Sequence, residues 1–236
     1  MTLNSRNCKN SKHAKRSQIE NFSQINKNIQ MTNQETDVDL LVPLENLINT
    51  DPRVYRTKGL DGLPAVGIQR GVEIVVPYRI YLPRRFYRNF AFLSSIKPRD
   101  DRGGFLFAVV NAFDTIVDLG VKLEPAADSQ TNISLIYTDS EAHTTSQTIA
   151  SFIVPSFTNQ WTQLAIEVRD DTVTLYFRCM RYATRQVRRQ PLQLQLDDAS
   201  KLYIANAGPI IGAGFEVGCF FNGNFSYDRV EAERQA

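Results

Sequence analysis

The densest run of chemistry-bearing side chains is Arg178-Cys-Met-Arg-Tyr-Ala-Thr-Arg-Gln-Val-Arg-Arg189, where Arg178, Arg181, Arg185, Arg188 and Arg189 recur with no acid among them. A guanidinium presents a rigid fork of donors that matches sulfate or carboxylate oxygens two at a time. A row of such forks suits a sulfated polysaccharide such as heparan sulfate. The same charges on a strand edge would also block edge-to-edge aggregation, so a solvated hairpin edge is the competing reading. Arg84, Arg85 and Arg88 form a second cluster around Phe86 and Tyr87.

Catalytic chemistry finds less support. His13 and His143 have no partner at triad or metal-ligand spacing, and there is no phosphate loop or dinucleotide fingerprint. Glycoside hydrolysis needs two carboxylates facing one cleft, and none of the predicted strands carries acids at i, i+2 or i, i+4. The chain is therefore expected not to be an enzyme, and no cofactor is expected. Calcium would need several converging oxygens. Asp114, Asp118, Asp128, Asp139 and Asp170 fall at strand starts and turns, where ordinary turn carboxylates are the alternative, so no metal ligand set is assigned.

The cysteines are Cys8, Cys179 and Cys219. Cys179 and Cys219 both lie in strand-like text, so either a disulfide between them or two buried thiols is possible. Asn-x-Ser/Thr sequons at Asn21, Asn132 and Asn224 would matter in the secretory pathway. Asn132 opens a strand, where only an edge position leaves room for a glycan.

These residues must be positioned by elements that the sequence also indicates. Residues 1–36 are polar and basic, which predicts a disordered tail, and residues 228–236 are a charged C-terminal tail. Between them, residues 37–227 read as one domain. Leu40, Leu41, Leu44, Leu47 and Ile48 recur at helical spacing, with Pro43 suited to a first turn, and predict one short amphipathic helix packed on the domain. From residue 72 onward, short extended runs alternate with turn residues. In Thr172–Cys179, Val173, Leu175 and Phe177 share one face, with Thr172, Thr174, Tyr176 and Arg178 on the other. In Trp161–Val168, Leu164, Ile166 and Val168 share a face, with Gln163 and Glu167 opposite. Arg169-Asp-Asp171 joins these two runs as a hairpin, and Trp161 is expected in the core. Phe105–Val110 is apolar on both faces and predicts a strand covered on both sides. Many short strands with little helix imply an all-β fold of two packed antiparallel sheets.

Four stretches resemble the thrombospondin-N-terminal-like module of the type XV and type XVIII collagens. They are Phe86-Tyr-Arg-Asn-Phe-Ala-Phe-Leu93; Gly103-Gly-Phe-Leu-Phe-Ala-Val-Val110 with Leu119-Gly-Val-Lys-Leu123; Asn132-Ile-Ser-Leu-Ile-Tyr-Thr138; and Ala150-Ser-Phe-Ile-Val-Pro-Ser-Phe157 leading into Gln160-Trp-Thr-Gln-Leu-Ala165 and Val173-Thr-Leu-Tyr-Phe-Arg-Cys179. The resemblance implies a jelly-roll sandwich of the concanavalin A-like and laminin-G-like kind with one short N-terminal helix. It also implies an adhesive, non-catalytic module of the extracellular matrix that contacts heparan sulfate or other matrix components. The alternative it leaves is a calcium-dependent, carbohydrate-binding lectin-type module. In the family the cysteine after the Leu-Tyr strand, here Cys179, pairs with one beyond the last strand, whereas Cys219 falls inside that strand. A trimer is implied only if a collagenous region lies outside this sequence.

Composition narrows the partners further. The 236 residues carry 42% hydrophobic and 22% charged residues, a globular balance, and a net charge of only +2, so no global field points to nucleic acid. No apolar run reaches the roughly 18 residues that insertion into a membrane as a helix requires. The opening MTLNSRNCKNSKHAKRS is polar and lacks the apolar core of a signal peptide, while the resemblance implies a secreted module.

Overall fold

A computed structural model describes residues 35–212, 214 and 217–228. Most strands appear where the sequence alternates or turns continuously apolar. In chain order they are β1 (Glu35–Asp39), β2 (Val54–Lys58), β3 (Pro64–Ile68), β4 (Ile74–Pro77), β5 (Phe90–Pro98), β6 (Gly104–Val110) and β7 (Val117–Ala126). They continue with β8 (Gln130–Tyr137), β9 (Thr148–Pro155), β10 (Thr162–Arg169), β11 (Thr172–Phe177), β12 (Met180–Gln186), β13 (Lys201–Ile204) and β14 (Val217–Asp228). Helix α1 (Val42–Ile48) follows β1, and a single turn, α2 (Gly208–Ile211), precedes β14.

Among the described residues the strands form two antiparallel sheets. The larger runs β12-β11-β10-β5-β14-β3-β2, with β1 also paired to β14, and the smaller runs β4-β13-β6-β7-β8-β9. These are the two antiparallel sheets implied by the strand pattern, in the jelly-roll sandwich class that the family resemblance implied. The chain crosses between sheets at several points, so the inner faces of both supply one core. Phe86, Phe90, Phe92, Phe107 and Phe225 meet there edge-on or tilted, with centroid separations from 4.7 to 6.2 Å. Each such ring pair adds about 1 kcal/mol beyond the area it buries.

Helix α1 forms where the spacing predicts but begins at Val42, with Leu40 and Leu41 just ahead of it. Leu40 and Leu44 are fully buried, and Leu41, Leu47 and Ile48 lie against the core. Pro43 occupies the first turn, where its missing N–H costs nothing. Strand β6 is buried along its whole length. On its outer side Phe105, Ala108 and Val110 join Val117, Ile136, Tyr203 and Ala207 in a second small cluster, with Ile211 of α2 packed on it.

Several elements depart from the sequence reading. Strands β1, β2, β3 and β12 lie outside the alternating runs that the sequence marks, and the extended run Leu192–Leu196 forms no strand, only an isolated bridge between Arg85 and Gln195. The first strand begins at Glu35, inside the segment assigned to the tail. It sets Glu35, Asp37 and Asp39 at alternate positions opposite Asp228, Ser226 and Asn224 of β14. Trp161 is half-buried and stands outside the core. Strand parity explains this: Thr162, Leu164, Ile166 and Val168 point inward, so Trp161 belongs with Gln163 on the outer face.

Candidate ligand-binding surface

The main arginine cluster forms the edge of the larger sheet. Among the described residues strand β12 pairs only with β11, and nearly all its residues are exposed. At about 3.4 Å per residue its 7 residues span roughly 24 Å. The ladder contains one irregularity. Tyr176 pairs with Arg181, but Leu175 pairs with Ala183, so Tyr182 is an extra residue in β12. A bulge of this kind reverses which face the following residues present. Arg181 therefore shares the outer face with Tyr176, whereas Arg185 sits opposite the core residue Val173. The Arg185 guanidinium lies over the Phe152 ring of β9, 5.7 Å from its centroid. The bulged Tyr182 donates its hydroxyl to the Ile153 carbonyl at 2.9 Å and packs edge-on against Phe177. The open side of the sandwich is thus bridged between β12 and β9.

The remaining predicted arginines divide into exposed and engaged groups. Arg178 is exposed, donates to Gln160 Oε1 at 3.1 Å and lies over Phe177. Arg188 is exposed just beyond β12. Among the described residues Arg178, Arg181, Arg185 and Arg188 form no ion pair. Arg189, predicted as a surface contact, is instead buried. It stacks on the Tyr137 ring at 5.1 Å, donates Nε to the Asp170 carbonyl at 3.1 Å and Nη1 to the Tyr137 hydroxyl at 3.4 Å. Burial lowers its pKa from the ordinary arginine value and pushes the Tyr137 phenol up to about 12. Its planar, weakly hydrated head suits such a half-aromatic niche, and from there it cannot grip a polysaccharide.

The second cluster is largely neutralised. Arg84 and Arg79 both face Asp198, at 3.5 and 3.3 Å. Arg85 joins the bridge to Gln195. Arg88 Nε donates to Asp170 Oδ1 at 2.7 Å. The two clusters therefore meet at the β10–β11 turn, where Arg88 holds the side chain of Asp170 and Arg189 its carbonyl. The sequence separates Asp170 from both clusters and gives no sign of this meeting.

The outer face of β10, β11 and β12 contains a groove of about 280 Å³ that the arginine reading missed. Its floor is Glu167, a buried carboxylate on an outward-facing position. Oε1 accepts from Arg169 Nε at 2.6 Å, and Oε2 accepts from the Tyr176 hydroxyl at 3.0 Å. The hydroxyls of Thr174 and Thr184 lie 3.0 Å apart, and Arg181 Nη2 donates to Thr184 Oγ1 at 3.0 Å. Alternation alone put Glu167, Thr174 and Tyr176 on outer faces. What it lacked was β12 as a third strand beside them.

The other predicted positions are resolved less favourably. Cys179 donates its thiol to Gln163 Oε1 at 2.7 Å. The side chain of Cys219 lies outside the described residues, but its backbone belongs to β14, with β5 and β10 between it and the β11–β12 turn. Three strand spacings are about 14 Å, against the roughly 7 Å that a disulfide spans between Cα atoms. Strand β8 lies between β7 and β9, so Asn132 lacks the edge position a glycan requires, and its amide donates to Ser134 at 3.1 Å. The side chain of Asn224, and all of Asn21, lie outside the described residues. Asp114 is occupied internally by Lys201 at 2.6 Å and the Tyr203 hydroxyl at 2.8 Å. Among the described residues no group of three or more His, Cys, Asp or Glu side chains converges to hold a metal. No described helix is long and apolar enough to cross a membrane.

The two antiparallel sheets and the short N-terminal helix are the arrangement that the resemblance to thrombospondin-N-terminal-like modules implied. Over 130 residues, 55% of its length, the chain is 38% identical to the human collagen alpha-1(XVIII) chain. The matched stretch is only 7% of that relative's length. No family model matches the chain. Among solved structures it is similar to domain 4 of AbnA, a GH43 extracellular arabinanase from Geobacillus stearothermophilus crystallised with arabinotriose, at 13% identity and TM-score 0.49 over 74% of this chain and 75% of that one. It is also similar to domains LG4–5 of the mouse laminin alpha1 chain, at 12% identity and TM-score 0.42 over 66% and 39%. A pentraxin from Limulus polyphemus matches at 18% identity and TM-score 0.41 over 59% and 61%.

Proposed function

We propose that the chain is a non-catalytic, adhesive module of the extracellular matrix that binds sulfated glycosaminoglycan along the β12 edge. The observation that carries this reading is the row of Arg178, Arg185 and Arg188, exposed along and beside one edge strand and free of ion pairs among the described residues. The similarity to a collagen chain supports the matrix setting. An extended polyanion matches a linear row better than a compact ligand does, and bidentate guanidinium contacts give each site its grip.

The test is salt elution from immobilised heparin. Replacing Arg178, Arg185 and Arg188 together with Ala lowers the eluting salt concentration, while replacing buried Arg189 with Met leaves it unchanged in folded protein. Equal elution of the triple variant and the wild type would refute the edge as the binding surface. A rise in melting temperature on adding calcium, with no salt-sensitive heparin binding, would favour the calcium-dependent lectin-type alternative.

A further inference from the structure

We propose that the polar groove on the outer face of β10–β11–β12 seats a single acidic sugar ring, one bearing a carboxylate or sulfate. The inference rests on the polyanion reading above and assigns a defined site to one residue of that ligand.

The groove is built by register. Glu167 stands opposite Thr174, and Thr174 opposite Thr184, so one row crosses all three strands. The next row on this face is Ala165, Tyr176 and Arg181. Two strand spacings and one side-chain repeat make a pad of about 10 by 7 Å, the footprint of a six-membered ring with its substituents.

Its chemistry selects the ligand class. The groove offers threonine and tyrosine hydroxyls, a carboxylate and guanidinium groups, with only one aromatic ring and the threonine methyls as apolar contact. An apolar ligand would leave these polar groups without partners, whereas a polyhydroxylated ring exchanges hydrogen bonds with them and lays its C–H face on Tyr176. Glu167 and Arg169 neutralise each other across 2.6 Å. Arg181 has no carboxylate partner among the described residues and bonds only the Thr184 hydroxyl. One uncompensated cation therefore remains at the rim, which calls for an anionic substituent. The β12 bulge at Tyr182 supplies this cation, because it turns Arg181 outward while Arg185 faces the other way.

The experiment is a titration of the isotope-labelled full chain, followed through backbone amide resonances. The probes are a heparin-derived disaccharide containing a uronate, and maltose as a neutral control. The acidic disaccharide shifts the amides of Thr174, Tyr176 and Thr184, and maltose does not. Arg181→Gln weakens binding roughly tenfold, the scale of one charge-assisted hydrogen bond. Thr184→Val weakens it less, and Arg56→Gln, exposed on β2 at the opposite edge of the sheet, leaves it unchanged. Arg181 and Thr184 are exposed, and unchanged melting temperatures verify that their variants are folded. If intact heparin is retained on a column but the disaccharide moves no groove amide, the groove assignment is wrong and the edge reading stands. If neither binds, both are wrong. Equal binding of maltose, or full binding by Arg181→Gln, overturns the acidic-sugar assignment.

Discussion

Replacing Asp118 with Asn will stabilise the protein at neutral and alkaline pH, by an amount that disappears in acid. Asp118 lies on β7 with 2% of its surface exposed, and its Oδ1 has no hydrogen-bond partner among the described residues. Burial raises its pKa from 3.8 to about 7; hydroxyls of Ser140 and Ser200 pull it down, and Asp139 and Asp197 add to the rise. Below pH 3.8 the carboxyl is protonated in folded and unfolded chains alike, and its contribution is at its most favourable. Between pH 3.8 and about 7 the unfolded chain ionises while the folded one does not, so stability falls by about 1.4 kcal/mol per pH unit. Above that range both states are ionised and the loss is complete, at roughly 4 kcal/mol. An amide of the same shape does not titrate and can donate to Ser200 Oγ, which lies 3.5 Å from Oδ2. At roughly 2–4 °C per kcal/mol for a domain of this size, the variant should melt about 8–16 °C higher than wild type at pH 8.5. Near pH 3.5 only a small constant offset should remain. Thermal unfolding followed by circular dichroism across this range measures the difference directly, because titrating groups not coupled to Asp118 cancel between the two proteins. A difference that does not change with pH, or a variant less stable at pH 8.5, would refute the assignment of a buried, protonatable carboxyl at this position.

Other substitutions probe the packing of the candidate surface. Arg189→Ala should cost about 1–3 kcal/mol in urea unfolding, since it leaves the Asp170 carbonyl and the Tyr137 hydroxyl without their donor. A stability equal to wild type would place Arg189 on the surface after all. Phe225→Ala removes the ring that touches Phe86, Phe90, Phe92 and Phe107, and should cost about 3–5 kcal/mol; a loss below 1 kcal/mol would mean β14 does not insert into the core. Gly103→Ala should destabilise by about 1–3 kcal/mol, because φ is +72° and an added Cβ would sit 2.2 Å from the Leu123 carbonyl oxygen. A neutral result in chemical denaturation would contradict that close approach.

Much of the fold is legible in the sequence because burial acts on local periodicity. Strict alternation in 162–169 and 172–177 fixes which side chains face inward, and the Asp170-Asp171 turn closes the hairpin between them. Leu44, Leu47 and Ile48 recur at helical spacing and turn to the core together. Phe105–Val110 is apolar throughout because it is covered on both sides. The strands that escaped notice carry no such signature. Strand β12 is exposed on both faces, so no hydrophobic alternation marks it. Strand β1 alternates acids with Thr36 and Val38, and it pairs with β14, almost 190 residues away.

The sequence by itself determined the two-sheet class, the inward faces of the central strands and the presence of an arginine-dense segment next to a hairpin, since each follows from residue type at short range. Only the tertiary structure decided what each arginine does. Arg189 is buried because its neighbour in space is Tyr137, 52 positions away in sequence. Arg84 and Arg88 are neutralised by Asp198 and Asp170, which arrive from distant loops. Arg181 and Arg185, which a regular strand would put on one face four residues apart, are turned to opposite faces by a single extra residue in the strand. Charge along the sequence is one-dimensional; whether a charge is buried, paired or presented depends on strand order and register, which long-range pairing alone sets.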